Sequence, residues 1–435
     1  MERDALAVVP EAAPIAPKPR RANAFRALRS VPFRWYFGGQ IASASGTFVQ
    51  TTAIGWLVLG ITGSPASLGL VLAASGVPPL LFGPWGGVVA DRVDLRKLLI
   101  GTQVASAVLA VALWLAAASG HAGVPLVIAV TVLGGVVQIV DSPARQAFVA
   151  RLVPSADLAS AASVNGVVMN SARVVGPALA GVLIATIGTT PCFAVNAVSY
   201  LAVIGALFAI RPLAVPAAAT ETPQGVAAGL RYARTRQQLW LPLVMMALVG
   251  LLAFNFAVIL PVLAKETFHG TGGTYGLLST MLSIGSVAGS LAVGLVRHPR
   301  RVYLVAAAAA FGACLAATAV APNLGIACAA LVATGIAAFC FVTLASTALQ
   351  LHSDPAYRGR IMALWVFVYL GTTPIGSPLT GWICDAAGPR AALLVGAAAC
   401  LVAAGIAARV RTPPHPDDNP AAARCAAEPD ADTVR

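Results

Sequence analysis

The feature of this sequence that most restricts its fold is a series of long segments without aspartate, glutamate, lysine or arginine. A helix of about 20 apolar residues crosses a bilayer core about 30 Å thick. Twelve segments reach or approach that length, and one charge, Arg173, interrupts the fifth. Numbered here as spans 1 to 12, they are 35–61, 68–90, 98–120, 124–140, 158–188, 189–210, 239–264, 270–296, 302–320, 323–351, 361–384 and 391–408.

These segments predict helices rather than the strands of a barrel. In lipid, a spanning segment must be a helix or belong to a closed barrel, and barrel strands have about ten residues of alternating polarity. The segments here are longer and do not alternate. Only 10% of the residues are charged, against about 25% in soluble domains. The sequence therefore predicts an all-α polytopic membrane protein embedded in a lipid bilayer, and it excludes an ordinary soluble enzyme.

The basic residues are divided unevenly between the two sides of the predicted helices. With twelve spans both termini lie on one side, and 25 of the 28 Lys and Arg residues fall in segments on that side. Lys265 and Arg390 lie on the opposite side. The positive-inside rule therefore predicts cytoplasmic termini in a multi-pass protein of the cell membrane. The net charge of +12 follows from this topology and indicates no nucleic-acid partner.

The longest connection on the predicted inner side lies between spans 6 and 7, and it divides the chain into two halves of six spans. We expect a basic, disordered segment at 1–30, a six-helix bundle at 31–210, a cytoplasmic loop at 211–238, a second bundle at 239–410 and a disordered tail at 411–435. The strings GPALAG at 176–181 and GSPLTG at 376–381 repeat Gly, Pro and Gly in the same order. Such repetition is typical of transporters built from two parallel six-span repeats.

The loop between spans 2 and 3 carries a specific pattern, GGVVADRVDLRKLLI. It resembles the signature loop of the major facilitator superfamily, although Asp94 stands where that pattern has a second glycine. The matching residues are Gly87, Asp91, Arg92, Arg96 and Lys97. The opening of span 1, DSPARQAF at 141–148 and NSARVVGPALAG at 170–181 resemble the branch of enterobactin-type and macrolide-type exporters.

This resemblance implies a fold and a transport function. The fold is two six-helix bundles related by a pseudo-two-fold axis. The implied function is export of a small hydrophobic or amphipathic molecule, such as a drug, siderophore or secondary metabolite, by alternating access, with proton antiport as the expected coupling. A lipid or lysolipid translocator and a nutrient uptake porter are the alternatives, and we expect a monomer.

The resemblance also assigns a conformational latch to the 2–3 loop. Asp91 would accept hydrogen bonds from the N-terminus of span 11, where the helix dipole favours an anion. Together with Arg92 and Arg96 it would hold the inner side shut. Gly83 and Gly87 are four residues apart on span 2, as are two glycines on span 8. Such pairs predict either a sliding contact between the halves or tight packing alone.

Three charged residues are candidates for a proton or charge relay. Arg173 lies deep in span 5, where a charge costs at least ~2.5 kcal/mol. It would either bind substrate or a coupling carboxylate, or tie helices together, and Asn165, Asn170 and Asp141 are its candidate acceptors. Asp141, at the predicted end of span 4, would be a proton carrier or a structural partner of Arg145, Arg96 or Arg173.

The two Gly-Pro strings predict bendable or closely packed helices, because proline removes a backbone hydrogen bond within the helix. The residues of this helix-bend motif are Gly176, Pro177, Gly181, Gly376, Pro378 and Gly381.

The resemblance places spans 1, 4, 7 and 10 around a central cavity. A mostly apolar cavity with scattered polar groups suits an amphipathic substrate better than a sugar. The candidate cavity residues, with two from span 5, are Gln40, Thr47, Gln50, Gln138, Asn165, Asn170, Asn255 and Thr343. Aromatic residues of the same spans include Trp56, Phe254, Phe256, Phe339 and Phe341.

No constellation in the sequence predicts an enzyme, a cofactor or a metal site. The five histidines lie at span ends, in loops or in the tail, and no Cys-x-x-Cys pair occurs among the seven cysteines. The sequence contains no phosphate-binding P-loop, which argues against direct use of ATP and leaves protons as the expected coupling ion.

Overall fold

The computed structural model describes residues 26–154, 157–210, 226–294 and 300–410, without the side chains of Pro84, Asp91, Ala159 and residues 226–228. The predictions for residues 1–25, for most of the central loop and for the tail therefore lie outside the described residues. At 26–30, where we predicted disorder, the structure instead has a 3-10 turn, Arg26–Arg29. Ala27 in this turn is buried, because the turn packs against span 5.

Within the described ranges the chain forms helices and no strand. The helices of spans 1 to 6 are Val31–Thr62, Pro65–Arg92, Leu95–Ala118, Val124–Ala150, Leu158–Ile187 and Thr190–Ala209. A short helix, Val226–Thr235, precedes the second half. The helices of spans 7 to 10 are Gln237–Leu252 with Phe256–Val262, Gly272–Val293, Arg301–Ala319 and Leu324–His352. Two helices, Pro355–Gly371 and Thr373–Arg409, form spans 11 and 12. Span 11 comprises the first helix and the second as far as Gly388, and span 12 comprises the remainder.

Eleven helical segments of the described chain are long and apolar enough to cross a membrane. The last of them, Pro355–Arg409, has 55 residues, which is far more than one crossing needs. Gly388 has a φ of 83° and interrupts this segment, so it contains two spans. The prediction of an all-α membrane protein with twelve spans is therefore confirmed.

Short polar side chains begin several of these helices. Ser64 caps span 2 by accepting from the Ser67 amide at 3.3 Å, and Asp94 caps span 3 by accepting from the Lys97 amide at 3.0 Å. Such caps satisfy amides that have no partner within the helix. The acid that departs from the family's loop pattern thus begins span 3.

Span 4 extends beyond its predicted end. We predicted that it stops at Val140, before Asp141 and Pro143, but its helix continues to Ala150. The prediction was wrong because it ended each span at the first charge. Arg145, one turn further along the same helix, forms an ion pair with Asp141, so the charge is accommodated within the helix.

Equivalent helices pack alike in the two halves. Span 2 packs on span 4, and span 8 packs on span 10. Gly86 lies against the Ile139 carbonyl in the first pair, whereas Gly285 and Gly289 lie against span 10 in the second. The glycine pair of span 8 is therefore a tight packing contact within one half. Between the halves, span 2 packs on span 11 and span 5 packs on span 8.

Candidate transport cleft and its gates

Two helix pairs close the cleft between the halves at one end. The end at which span 1 begins is called the inner end here, and the opposite end the outer end. Towards the outer end, a methyl group added to Gly69 of span 2 would lie 3.0 Å from the Pro378 Cα of span 11. One added to Gly181 of span 5 would lie 2.8 Å from the Gly276 Cα of span 8. Only glycine permits backbones to approach this closely.

The same helices separate towards the inner end. Four glycines, Gly69, Gly76, Gly83 and Gly87, share one face of span 2, because residues four and seven apart lie on one side of a helix. Gly69 and Gly76 contact span 11, whereas nothing lies within 4 Å of a methyl group placed on Gly83 or Gly87. Gly166 of span 5 is equally free of neighbours. The described part of the cleft is therefore closed at the outer end and open at the inner end.

Polar contacts between the halves reinforce the outer closure. The Asp385 carboxylate of span 11 accepts from the Ser64 hydroxyl and from the Ala66 amide, both at 3.0 Å. These groups form the N-terminus of span 2, where the helix dipole favours an anion. Lys265 of span 7 donates to the Leu59 carbonyl at the end of span 1, at 3.2 Å. This use of Asp385 was not predicted, because the sequence shows only an acid near a span end.

The residues of the predicted inner latch lie apart from the second half where their side chains are described. Arg96 donates to the Leu207 and Phe208 carbonyls of span 6, at 2.7 and 2.9 Å, and thus binds the C-terminal carbonyls of that helix. Arg92 and Lys97 are exposed. The side chain of Asp91 lies outside the description. In this conformation Arg96 therefore stabilises the end of span 6 within its own half.

The first half contains a buried charge cluster. Asp141 is 2% exposed and accepts from the Thr102 hydroxyl at 2.7 Å and the Gln103 amide at 2.9 Å. Its second oxygen accepts from Arg145. Buried Tyr36 lies within electrostatic range of both charges. We predicted Arg145, Arg96 or Arg173 as the partner of Asp141, and in the structure the partner is Arg145.

The Arg145 side chain of this cluster is 23% exposed. Exposed Gln138 shares its face of span 4, because the two residues are seven apart. Gln40, one turn from Tyr36 on span 1, is buried, and its side-chain amide has no hydrogen-bond partner among the described residues. Span 4 therefore has a polar face at Gln138 and Arg145, and span 1 has an unsatisfied buried amide.

Arg173 of span 5 points towards the second half, away from its predicted acceptors. Its guanidinium carbon is 4.7 Å from the centre of the Phe339 ring of span 10, and Tyr369 of span 11 lies within electrostatic range. No hydrogen bond or ion pair of Arg173 occurs in the described part of the chain. The prediction that Asn165, Asn170 or Asp141 accepts from Arg173 is not met, because this face of span 5 turns towards the second half.

An aromatic cluster surrounds Phe339. The Phe254 ring lies 6.4 Å from Phe339 and 6.2 Å from Tyr369, and Tyr369 stacks on Trp365 at 6.5 Å. We selected Phe254 and Phe339 from the sequence but missed the two aromatic residues of span 11. Their spacing of four residues, which places them on one helix face, was the available signal. Phe341 is fully buried in the core of the second half.

Span 7 is discontinuous at Asn255. Its helix stops at Leu252 and resumes at Phe256. The Asn255 amide donates to the Leu251 carbonyl at 2.8 Å, and its oxygen accepts from the Ser377 hydroxyl of span 11 at 3.2 Å. Asn255, predicted as a cavity residue, is thus buried in the contact between spans 7 and 11, where its side chain replaces missing backbone bonds.

The remaining candidates take more ordinary places. Gln50 accepts from the Asn196 amide of span 6 at 2.8 Å. The Thr47 hydroxyl donates to the Ser43 carbonyl one turn earlier at 2.9 Å. Asn165, Asn170 and Thr343 are half-buried on their helices. In the helix-bend motif, Gly176 lies against span 1, the Pro177 carbonyl against span 8, Gly376 against span 7, and Gly381 and Pro378 against span 2.

The fold and cleft define a membrane transporter with two helical halves. The family model described as transmembrane secretion effector matches residues 22–434, and the chain belongs to this family of major facilitator transporters.

Relatives of this chain have names that describe export or siderophore transport. The staphyloferrin A transporter of Staphylococcus aureus is 25% identical over 59% of this chain and 66% of that protein, slightly less than two thirds of its length. Macrolide efflux protein A of Streptococcus pyogenes is 24% identical over 82% of this chain and 90% of its own. The multidrug efflux pump Tap of Mycobacterium tuberculosis is 26% identical over 81% and 87%, respectively.

Solved structures confirm the fold. A bacterial homologue of the human lysosomal transporter Spinster, in an inward-facing and unoccupied conformation, has a TM-score of 0.71 at 15% identity, and covers 87% of this chain and 96% of its own. The nucleoside transporter NupG has a TM-score of 0.68 at 14% identity, over 88% and 100%. At these identities the likeness concerns architecture alone.

Proposed function

We propose that this transporter exports small hydrophobic or amphipathic organic molecules from the cytoplasm by alternating access coupled to proton antiport. The observation that carries the proposal is the cleft, which is closed at its outer end by glycine contacts and open at its inner end. A substrate reaches such a cleft from the inner side. The printed names of the macrolide, multidrug and siderophore relatives support export.

The orientation of this cleft follows from the basic residues. Of the 28 Lys and Arg residues, 25 lie on the side of the termini, which is also the side of the open end. The positive-inside rule therefore favours an orientation in the cell membrane in which the open end faces the cytoplasm. The moving units are the two bundles at 31–210 and 239–410, and one copy of the chain contains both of them. A monomer is therefore sufficient for transport.

The continuous glycine face of span 2 suggests how the halves move. Its outer glycines already contact span 11, and its inner glycines, Gly83 and Gly87, offer the same close approach. Rocking the halves about the middle of spans 2 and 11 would open the outer end and close the inner end. Asp91, at the carboxyl end of span 2, would then bind the N-terminus of span 11.

Asp141 is the proposed proton site. It is the one acid deep within a span among the described residues, and its charge is held by Arg145, Thr102 and Gln103. Protonation of Asp141 would weaken its bond to Arg145 and release that side chain towards the cleft. Unpartnered Gln40 and the unbonded Gln103 oxygen provide further polar groups beside this path.

The test is efflux from loaded cells that produce the protein, measured for a macrolide, a siderophore and the neutral dye Nile red. We expect at least one compound to be extruded faster than from cells that produce Asp141→Asn, and an uncoupler to abolish that difference. Extrusion that persists with the uncoupler and follows ATP would exclude proton coupling. The absence of extrusion of all three would contradict the proposed substrate class.

A further inference from the structure

Arg173 is a charge inside the cleft that no described residue neutralises. It lies in the middle of span 5, half-buried, with neither an acid nor a hydrogen-bond acceptor among the described residues. A charge at such depth is costly unless it meets a partner or water, and it commonly marks a substrate pathway. The cation–π contact with Phe339 attracts the guanidinium but supplies no anion.

The described acids are unavailable to Arg173. Asp141 is occupied by Arg145, Thr102 and Gln103. The others lie at helix ends, and they are Asp94, Asp157, Glu266, Asp354 and Asp385. The described cleft therefore carries one uncompensated positive charge, which repels cations and attracts anions.

The surroundings of this charge are aromatic and come from the opposite half. The centre of the Phe254 ring lies 6.4 Å from that of Phe339 and 6.2 Å from that of Tyr369. Trp365, which stacks on Tyr369, extends the cluster. The guanidinium carbon lies over the Phe339 ring, and no described residue accepts from its N–H groups, so these donors remain for a planar acceptor. Guanidinium binds carboxylates through two parallel hydrogen bonds along one edge.

We propose that Arg173 and this aromatic cluster form a subsite for an anionic amphiphile, in which a carboxylate binds Arg173 and an apolar or aromatic body lies on the rings of spans 7, 10 and 11. The inference rests on the cleft of the proposed function and specifies its substrate class. A molecule bound in this way would contact both halves, since Arg173 belongs to the first and the rings belong to the second.

The test compares two probes of nearly equal shape, 2-naphthylacetate and its neutral amide, 2-naphthylacetamide. Their dissociation constants are measured by quenching of tryptophan fluorescence in purified protein in nanodiscs. For the native chain we expect the carboxylate to bind at least about tenfold more tightly, as charge-assisted hydrogen bonds do. Arg173→Met should abolish this preference and leave amide binding within about twofold, whereas Arg173→Lys should retain part of it.

The matched control is Arg390→Met, which removes an arginine that donates to the Ala321 carbonyl at 3.0 Å, away from the cleft. It should keep the full preference for the carboxylate. If Arg173→Met does not fold, the partial preference of Arg173→Lys decides. Equal binding of the two probes to the native chain, or a preference that survives in Arg173→Met, would overturn the subsite.

The two proposals fail separately. Equal probe binding together with uncoupler-sensitive efflux of Nile red would refute the anionic subsite and leave the transport function standing. A clear carboxylate preference without extrusion of any compound would refute the export function and leave a binding site for anions.

Discussion

Spans 2 and 11 carry an acid, a helix N-terminus and glycines at both of their ends, but the two helices are in contact at the outer end only. At the outer end, Asp385 near the carboxyl end of span 11 binds the N-terminus of span 2. At the inner end, Asp91 is the next-to-last residue of the helix of span 2, and Pro355 begins span 11. Glycines line both ends of span 2, but only the outer ones contact span 11. The comparison indicates that one antiparallel helix pair carries a potential closure at each end and that one closure is formed.

The largest expected effect comes from adding bulk to the closed end. Gly276→Leu would force a side chain into the backbone of Gly181. Overpacking costs about 1–3 kcal/mol, which corresponds to a shift of about 5- to 150-fold between conformations. We therefore expect the outer end to open, and transport to fall by a comparable factor. A membrane-impermeant maleimide, added from outside, should label a cysteine that replaces Ser377, which is 2% exposed and lies against Gly69, more rapidly in this variant.

The matched variant at the open end is Gly87→Leu. A methyl group placed on Gly87 would have no neighbour within 4 Å in the present conformation, so the variant should fold normally. It should also lose transport, but for the opposite reason, because the inner end could no longer close. Labelling from outside should then be slower than in the native chain. Equal labelling of the two variants would contradict the view that the glycines at the two ends of the cleft support opposite closures.

The next effect concerns the acid of the inner end. Asp91→Asn should lower transport by about tenfold, since a charge-assisted hydrogen bond contributes about 1.5–3 kcal/mol to the state that is closed inside. The amount of protein in the membrane should remain near normal, because the backbone of Asp91 lies at a helix end. Quantitative blotting measures the amount of protein in the membrane, and a transport assay on the same cells measures the rate. Full transport by Asp91→Asn would show that this acid has no role in closure.

A smaller effect is expected from the acid of the outer end. Asp385→Ala removes two hydrogen bonds between the halves, but both are solvent-exposed, so we expect a shift of about fivefold towards the outward-open state. The control is Arg236→Met, which removes an exposed ion pair with Asp354 within the second half. Maleimide labelling should increase in the first variant and stay unchanged in the second.

The smallest effect on gating is expected from Arg96. Arg96→Met removes two hydrogen bonds to the end of span 6 and should lower the free energy of unfolding by about 1–3 kcal/mol. The distribution between the open states should not change, because all three residues belong to one half. Thermal unfolding in detergent beside labelling separates these outcomes. A large change in labelling would show that Arg96 takes part in inner closure, as the family resemblance implies.

Hydrophobicity predicted the twelve helices well, because the cost of placing charge and backbone in lipid is local to each segment. Helix rotation was harder to predict. Gly83 and Gly87 stood out by their spacing, yet Gly86 contacts span 4, and Arg173 faces Phe339 rather than an amide of its own helix. Asp385 and the break at Asn255 acquire their contacts from helices far away in the sequence. Such details depend on which helix lies opposite, and a single sequence does not state this.

The central claim is that closure alternates between the two ends, and distance measurements between spin labels test it most directly. One pair is attached at exposed outer positions, His121 and His269, and the other at exposed inner positions, Arg92 and Arg358. Both pairs are compared in the native background and with Gly276→Leu. The account predicts that this variant lengthens the outer distance and shortens the inner distance. An outer distance that lengthens while the inner distance stays unchanged would contradict alternating access.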